Sequence, residues 1–471
     1  MKFLALLALA AAQTSRCGDI TSDQTWGDSI LTCQVFVQPT VTLTISAGAT
    51  IQSEADDGSG LAPALVVLPG ATINAVGTAS SPITFTSTAS SDALPARGLW
   101  GGLIVMGNAP VYDGTDEVEG ITGFTYGGTD PTESSGALQY VRVWYGGSVI
   151  GANNEINGIT LAGIGSGTTV SNCEVAFNLD DGFEMFGGTV NLKWISALFV
   201  GDDSIDTDQG YQGKIQYAYV MIGATGNHGV EMDSKIDDTP RSFPQLYSAT
   251  FVHHLDGSPE SVSSDDQIAA TLRLREGTGG EFGNLIVTNV ANIGVFQNDC
   301  GTESRTHVLP TTGSPDYLWF SSQNIIYGAS GITLYSLDSS CAGLSSAINM
   351  DPMLTLMPGE ADFDSAGFDP RPMSGSIAYS NVDSTPVDDP FFESTSYKGA
   401  FDTDLWIEDF SWLADNLKLA SITACGDITS DTTWSTSVRM TCAATLRLRE
   451  GTGGEFGNLI VTNVANIGVF Q

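Results

Sequence analysis

Four short segments of the chain fall into one register. They are Asn157-Gly158-Ile159-Thr160-Leu161, Asp181-Gly182-Phe183-Glu184-Met185, Asp203-Ser204-Ile205-Asp206-Thr207 and His228-Gly229-Val230-Glu231-Met232, and the steps between them are 24, 22 and 25 residues. Each opens with a polar and a small residue, then alternates apolar and polar side chains as a half-buried strand does. A repeat of about 20 to 25 residues, one short strand plus turns, marks the coil of a solenoid. Stacked in parallel about 4.8 Å apart, such strands align identical positions. Ile159, Phe183, Ile205 and Val230 then form an inward column, while Thr160, Glu184, Asp206 and Glu231 form an outward one. The pattern predicts a line of acids on the surface.

The rest of the chain agrees with this period. Strand and turn units recur at Val41–Ile45, Ala64–Ile73, Pro82–Thr86 and Leu103–Met106, and a second strand type falls between the acidic segments, as at Val170–Phe177 and Leu192–Leu198. No long stretch has helical periodicity, and the 54 glycines suit tight turns. The expected fold is all-β, a right-handed parallel β-helix over 17–349 with a C-terminal cap over 350–424, since a solenoid must cover its open end. The first residues, Met1-Lys2 and then the apolar run Phe3 to Ala12, read as a secretory signal peptide over 1–16, too short to span a bilayer. Of seven cysteines, Cys17 with Cys33 and Cys300 with Cys341 are candidate pairs, and Cys425 with Cys442 flanks a near-copy of the first. Cys173 alternates with Val175 and Phe177, which places it in the core as a free thiol. Residues 443–471 repeat 269–297 without one change, and Cys425–Asp431 repeats Cys17–Asp23, so 425–471 is a partial duplicate of the domain start joined to a late coil.

Charge narrows the function. Lys plus Arg number 17 against 54 Asp plus Glu, a formal charge of −37. Such a surface repels nucleic acid and anionic lipid, and it suits cations or neutral sugars, with solubility of a secreted protein as the plainer reading. Extracellular polysaccharide or a cell-surface glycan is the expected partner, with the acidic face as the binding surface. A structural or adhesive surface protein without catalysis remains a further reading.

Several stretches resemble secreted or surface-anchored right-handed parallel β-helix proteins, mostly bacterial. They include Asn154–Leu161, Asp180–Glu184 with Phe186–Asn191, Asp206–Lys214, Thr239–Arg241, Leu274–Thr278 and Tyr397–Phe401 with Trp406. The resemblance covers about 17–415 and implies fold and export. A narrower one is to polygalacturonases, which place Asn-x-Asp, Asp-Asp, His-Gly and Arg-x-Lys on successive coils. The matching positions are Asp181, then Asp202 and Asp203, then His228-Gly229, then Arg273-Leu274-Arg275, with Arg275 standing where that family has Lys.

Carboxylates on neighbouring coils repel, at on the order of 1 to 3 kcal/mol per pair near a partly shielded surface. Hydrogen bonds from turn amides, a shared proton, or a bound cation each relieve that cost. Asn157, Asp180, Asp181, Asp202, Asp203 and Asn227 open strands at turns, where such side chains cap backbone N–H groups. A shared proton fits glycoside hydrolysis, with Asp181, Asp202 and Asp203 as acid and base, His228 tuning them, and Arg273 and Arg275 gripping a uronate. Hard oxygen ligands suit Ca²⁺, for which Glu184, Asp206, Asp208, Glu231 and Asp233 are candidates. Trp144, Tyr145 and Tyr211 are candidates to stack on sugar rings, with core packing as the alternative for each. The adjacent His253 and His254 would face opposite ways in a strand and make a poor metal clamp.

Overall fold

The computed structural model describes residues 13–420 except 57–59, 149, 151–155, 235–238, 255–269, 301–317, 329, 342, 345, 358–365 and 387–388. Beyond 420 it describes only two short strand pairs, Ile422–Ala424 with Val438–Met440 and Leu446–Arg447 with Val469–Phe470. The duplicated tail and its two cysteines otherwise lie outside the described residues.

The chain winds as a three-sided right-handed parallel β-helix. Strands pair with the equivalent strand one coil on, in parallel, along the whole solenoid. The right-handed sense is the one that twisted strands favour when they cross over to a parallel neighbour. The first face includes Gln24–Trp26, Thr42–Ile45, Thr72–Val76 and Gly136–Gln139. The second includes Ile83–Ser87, Val141–Trp144 and Ile286–Val290. Three long strands, Thr169–Ala176, Asn191–Leu198 and Lys214–Met221, run over the corner between these faces.

At that corner Asn172, Trp194 and Tyr217 have positive φ of 53°, 54° and 63°. Left-handed backbone costs a non-glycine residue about 1–2 kcal/mol. Stacking offsets part of this, for the Trp194 and Tyr217 rings lie 5.6 Å apart and nearly parallel.

The third face carries the four segments that set the repeat. Ile159 pairs with Leu103 below and Phe183 above, Phe183 with Ile205, and Val230 with Leu272. All are buried in one continuous core, each contributing about 1.5–3 kcal/mol. The outward column is equally in register, with Thr160, Glu184, Asp206 and Glu231 paired in turn and Arg273 next. The expected alignment is thus present.

Both expected disulfides form, Cys17–Cys33 in the first coil and Cys300–Cys341 near the last, and Cys173 is a buried free thiol. The first strand, Thr14–Ile20, pairs through Thr14–Arg16 with Ser29–Leu31. No helix among the described residues is long and apolar enough to cross a membrane.

Leu344 and Ala347 pack against the last coil. The following segment then turns back along the second face. Asp383 bonds Asn284, Glu393 bonds Gln216, Trp412 bonds Glu174 and Asp415 bonds Arg142. These contacts run coil by coil towards the N-terminus, so residues 383–415 form a strap over that flank. Trp144 and Tyr145 lie beneath it, with Phe401, Trp406 and Trp412 in the same apolar cluster. They are core, and neither offers a ring to a sugar.

Candidate functional site

The corner between the second and third faces gathers the polar residues that open each third-face strand. Asp181 accepts the Asp203 backbone N–H at 2.9 Å, and Asp203 accepts that of His228 at 2.7 Å. Asn178 donates to the carbonyls of Ile156 and Asp181, and Asn227 donates to Asp202 at 3.0 Å. Asp181, Asp203 and Asn178 thus each bond a backbone group one coil away, whereas Asn227 bonds a side chain. Gly182, after Asp181, is required by closeness, since a Cβ there would lie 2.5 Å from the Ser204 carbonyl oxygen.

Two clusters follow on the third face. In the first, carboxylate oxygens of Asp181, Glu184 and Asp206 lie within 4.8 Å of one another, and those of Asp180, Asp181 and Asp202 do likewise beside them. Asn157 donates to Glu184 and contacts Thr160 at 3.4 Å. Asn157 is 3% exposed, and its Oδ1 has no hydrogen-bond partner; neither has the buried Oδ1 of Asp206. No Lys, Arg or His among the described residues pairs with Asp181, Glu184 or Asp206.

At about 4.8 Å two full charges repel by about 3–4 kcal/mol at an effective dielectric of 20. The three carboxyls therefore hold their protons far more tightly than usual. Burial is the main cause for each, followed by Asp180 for Asp181 and Glu184, and by Glu184 for Asp206.

The second cluster is internally neutralised. Arg273 and Arg275 reach Glu231 at 3.0 and 2.5 Å, and Arg275 also reaches Asp233 at 3.1 Å. Burial alone would raise Glu231, but a hydrogen bond from Asp203 and the two guanidinium groups bring it down to about 2. Asp203, raised by burial and by Glu231, keeps the proton it donates. His228 Nδ1 lies 2.8 Å from Asp203, and Asp203, His228 and Glu231 converge within 4.8 Å.

This geometry redistributes the expected roles. Glu184 and Asp206 come together, joined by Asp181, while Glu231 and Asp233 are paired with the guanidinium groups of Arg273 and Arg275. Asp208 lies two residues beyond Asp206, its carboxylate accepting the Gln209 N–H. Arg273 and Arg275 face acids of their own chain, which occupies the donors expected to grip a uronate. Tyr211 is fully buried and donates its hydroxyl to the Val190 carbonyl at 2.8 Å, so it is a core residue and not a sugar platform. His253 and His254 are both buried, and His253 Nδ1 lies 2.9 Å from the His254 carbonyl oxygen.

The acid line is also less open than the alternation implies. Asp181 is 7% exposed, and Glu184 and Glu231 are 8%. Residues 107–128 lie over part of the third face, where Tyr126 donates to Gln209 at 2.7 Å and Gln209 donates to Asp116 at 3.1 Å. No local sequence signal marks that segment as a roof. Asp180 and Asp202, at the edge of the cluster, are the acids nearest the rim.

The family model described as a pectate-lyase like beta helix domain matches residues 18–312, well over half of the chain. No curated protein and no solved structure matches it.

Proposed function

Because the chain belongs to the pectate-lyase-like β-helix family, we propose that it binds an extracellular polysaccharide through Ca²⁺ held by Asp181, Glu184 and Asp206. One observation carries the reading: the buried carboxylates of Asp181 and Glu184 and the half-buried one of Asp206 converge within 4.8 Å and have no cationic partner among the described residues. Hard oxygen donors in that number suit Ca²⁺, and the unpartnered oxygens of Asp206 and Asn157 extend the donor set. A cation here explains how so acidic a protein holds a polysaccharide that is itself acidic, because the ion screens the two sets of carboxylates from one another. Two disulfides support an extracellular setting.

The hydrolase reading places catalysis at Asp181, Asp202 and Asp203. Asp181 and Asp203 are engaged in capping backbone N–H groups one coil away. The binding reading therefore accounts for more of the geometry.

Chromatography on an immobilised polyuronate tests it. Retention in calcium should disappear in EDTA and in Asp206→Asn. Equal retention in EDTA overturns the role of the ion, and absence of retention on acidic and neutral polysaccharides alike overturns the binding function. Release of reducing ends that stops in Asp202→Asn would instead establish the hydrolase.

A further inference from the structure

A shallow, open depression of about 660 Å³ lies in the C-terminal region, lined by residues including Thr355, Arg371, Met373, Tyr379, Asp402 and Thr403. We propose that it is a second, cation-independent sugar site that takes a neutral pyranose.

The argument begins with Arg371, on the strand Asp369–Pro372. Its Nε and Nη2 donate to the two oxygens of Asp369, each at 2.8 Å, and its Nη1 donates to the Thr403 carbonyl at 3.0 Å. A guanidinium has five N–H donors. Three are used to fix it in place, leaving one on each terminal nitrogen.

Tyr379 forms another part of the lining. Its hydroxyl is shared between the Pro372 carbonyl at 3.1 Å and Asp402 Oδ1 at 3.2 Å, and the residue is 36% exposed. The ring is thus anchored at its polar end with its apolar body still reachable. Asp402 keeps its second oxygen as an acceptor, and Thr355 is held by its bond to the Arg371 carbonyl at 2.8 Å. The site combines an aromatic surface, a fixed donor and a fixed acceptor. A pyranose matches all three, since its C–H face packs on a ring and each of its vicinal hydroxyls both donates and accepts.

Charge excludes the anionic form of the sugar. Asp369, Glu408 and Asp404 all act on Arg371 and hold its proton more firmly. With Asp402 in the wall as well, acids outnumber the one guanidinium, so an anionic sugar is repelled.

Saturation-transfer NMR on the full chain, in EDTA, with the methyl pyranosides of glucose, mannose and galactose as probes, tests the site. Binding of at least one probe is expected, about tenfold weaker in Tyr379→Ala and unchanged in Asp206→Asn. The proposal is overturned if no probe binds at millimolar concentration, or if Tyr379→Ala binds within about twofold of the parent while its circular dichroism and melting are unaltered. Because EDTA is present throughout, failure here leaves the calcium-dependent reading untouched, and failure of that reading leaves this one standing.

Discussion

Glu174 ties the C-terminal strap to the second face, and its replacement by glutamine should make the protein more stable at high pH. The carboxylate is fully buried and receives the Trp412 backbone N–H at 2.6 Å, the Trp144 indole N–H at 3.0 Å and the Ser196 hydroxyl at 2.9 Å. Burial raises its pKa from 4.5 to about 7, with the three hydrogen bonds and Arg142 pulling the other way. The folded state thus holds this proton more tightly than the unfolded chain does. Its contribution to stability is fully present below pH 4.5 and is lost as the pH rises towards 7. A gap of about 2.5 pH units at about 1.36 kcal/mol each makes that loss about 3 kcal/mol. Glutamine does not titrate, so Glu174→Gln avoids it, at a cost of about 1 kcal/mol if one hydrogen bond is remade poorly. Urea unfolding of both proteins at pH 4.5 and about pH 8 reads the effect. The variant should be slightly less stable at the lower pH and about 2 kcal/mol more stable at the higher. Other acids titrate equally in both proteins and cancel in the comparison. The same stability difference at both pH values would refute the reasoning, because it would mean that Glu174 ionises as an ordinary carboxyl.

Two further outcomes follow from the third face. Gly182→Ala puts a Cβ 2.5 Å from the Ser204 carbonyl oxygen and 3.2 Å from the Ala197 Cβ, so denaturant unfolding should show a loss of about 1–3 kcal/mol; an unchanged midpoint would mean that adjacent coils are not in close contact there. Arg273→Met removes one of two guanidinium groups from a buried carboxylate, and should cost about 3 kcal/mol and raise the Glu231 pKa, followed by carboxyl infrared bands in a pH titration.

The fold was legible because a solenoid repeats one local pattern. Polar-small-apolar-polar-apolar at steps of 24, 22 and 25 residues places Phe183 over Ile159 and Glu184 over Thr160 with no long-range information, and both pairs are present. Of the cysteine pairs, Cys17 with Cys33 was readable because the two flank one short segment, and Cys300 with Cys341 because both sit in polar, turn-like stretches. The site was legible only in part. Glu184 and Asp206 emerge as neighbours from alternation alone, yet nothing local shows that Arg273 and Arg275 sit over Glu231 and leave Asp181, Glu184 and Asp206 without a counter-ion. Tyr211 follows a glycine in a polar run and reads as exposed, but its ring turns inward and its hydroxyl finds the Val190 carbonyl. Glu174 lies in an alternating strand and reads as a solvated position until the strap, 238 residues later in the chain, supplies Trp412 to cover it.

By itself the sequence determined the coil: its period, which side chains face inward, and the stacking of acids in one column, all consequences of strand geometry acting over a few residues. Only the tertiary structure decided which acids are covered, which are paired with arginine and which are not. Those outcomes depend on segments such as 107–128 and 383–415 that return from far along the chain, and burial, which governs both charge and access, exists only once they have docked.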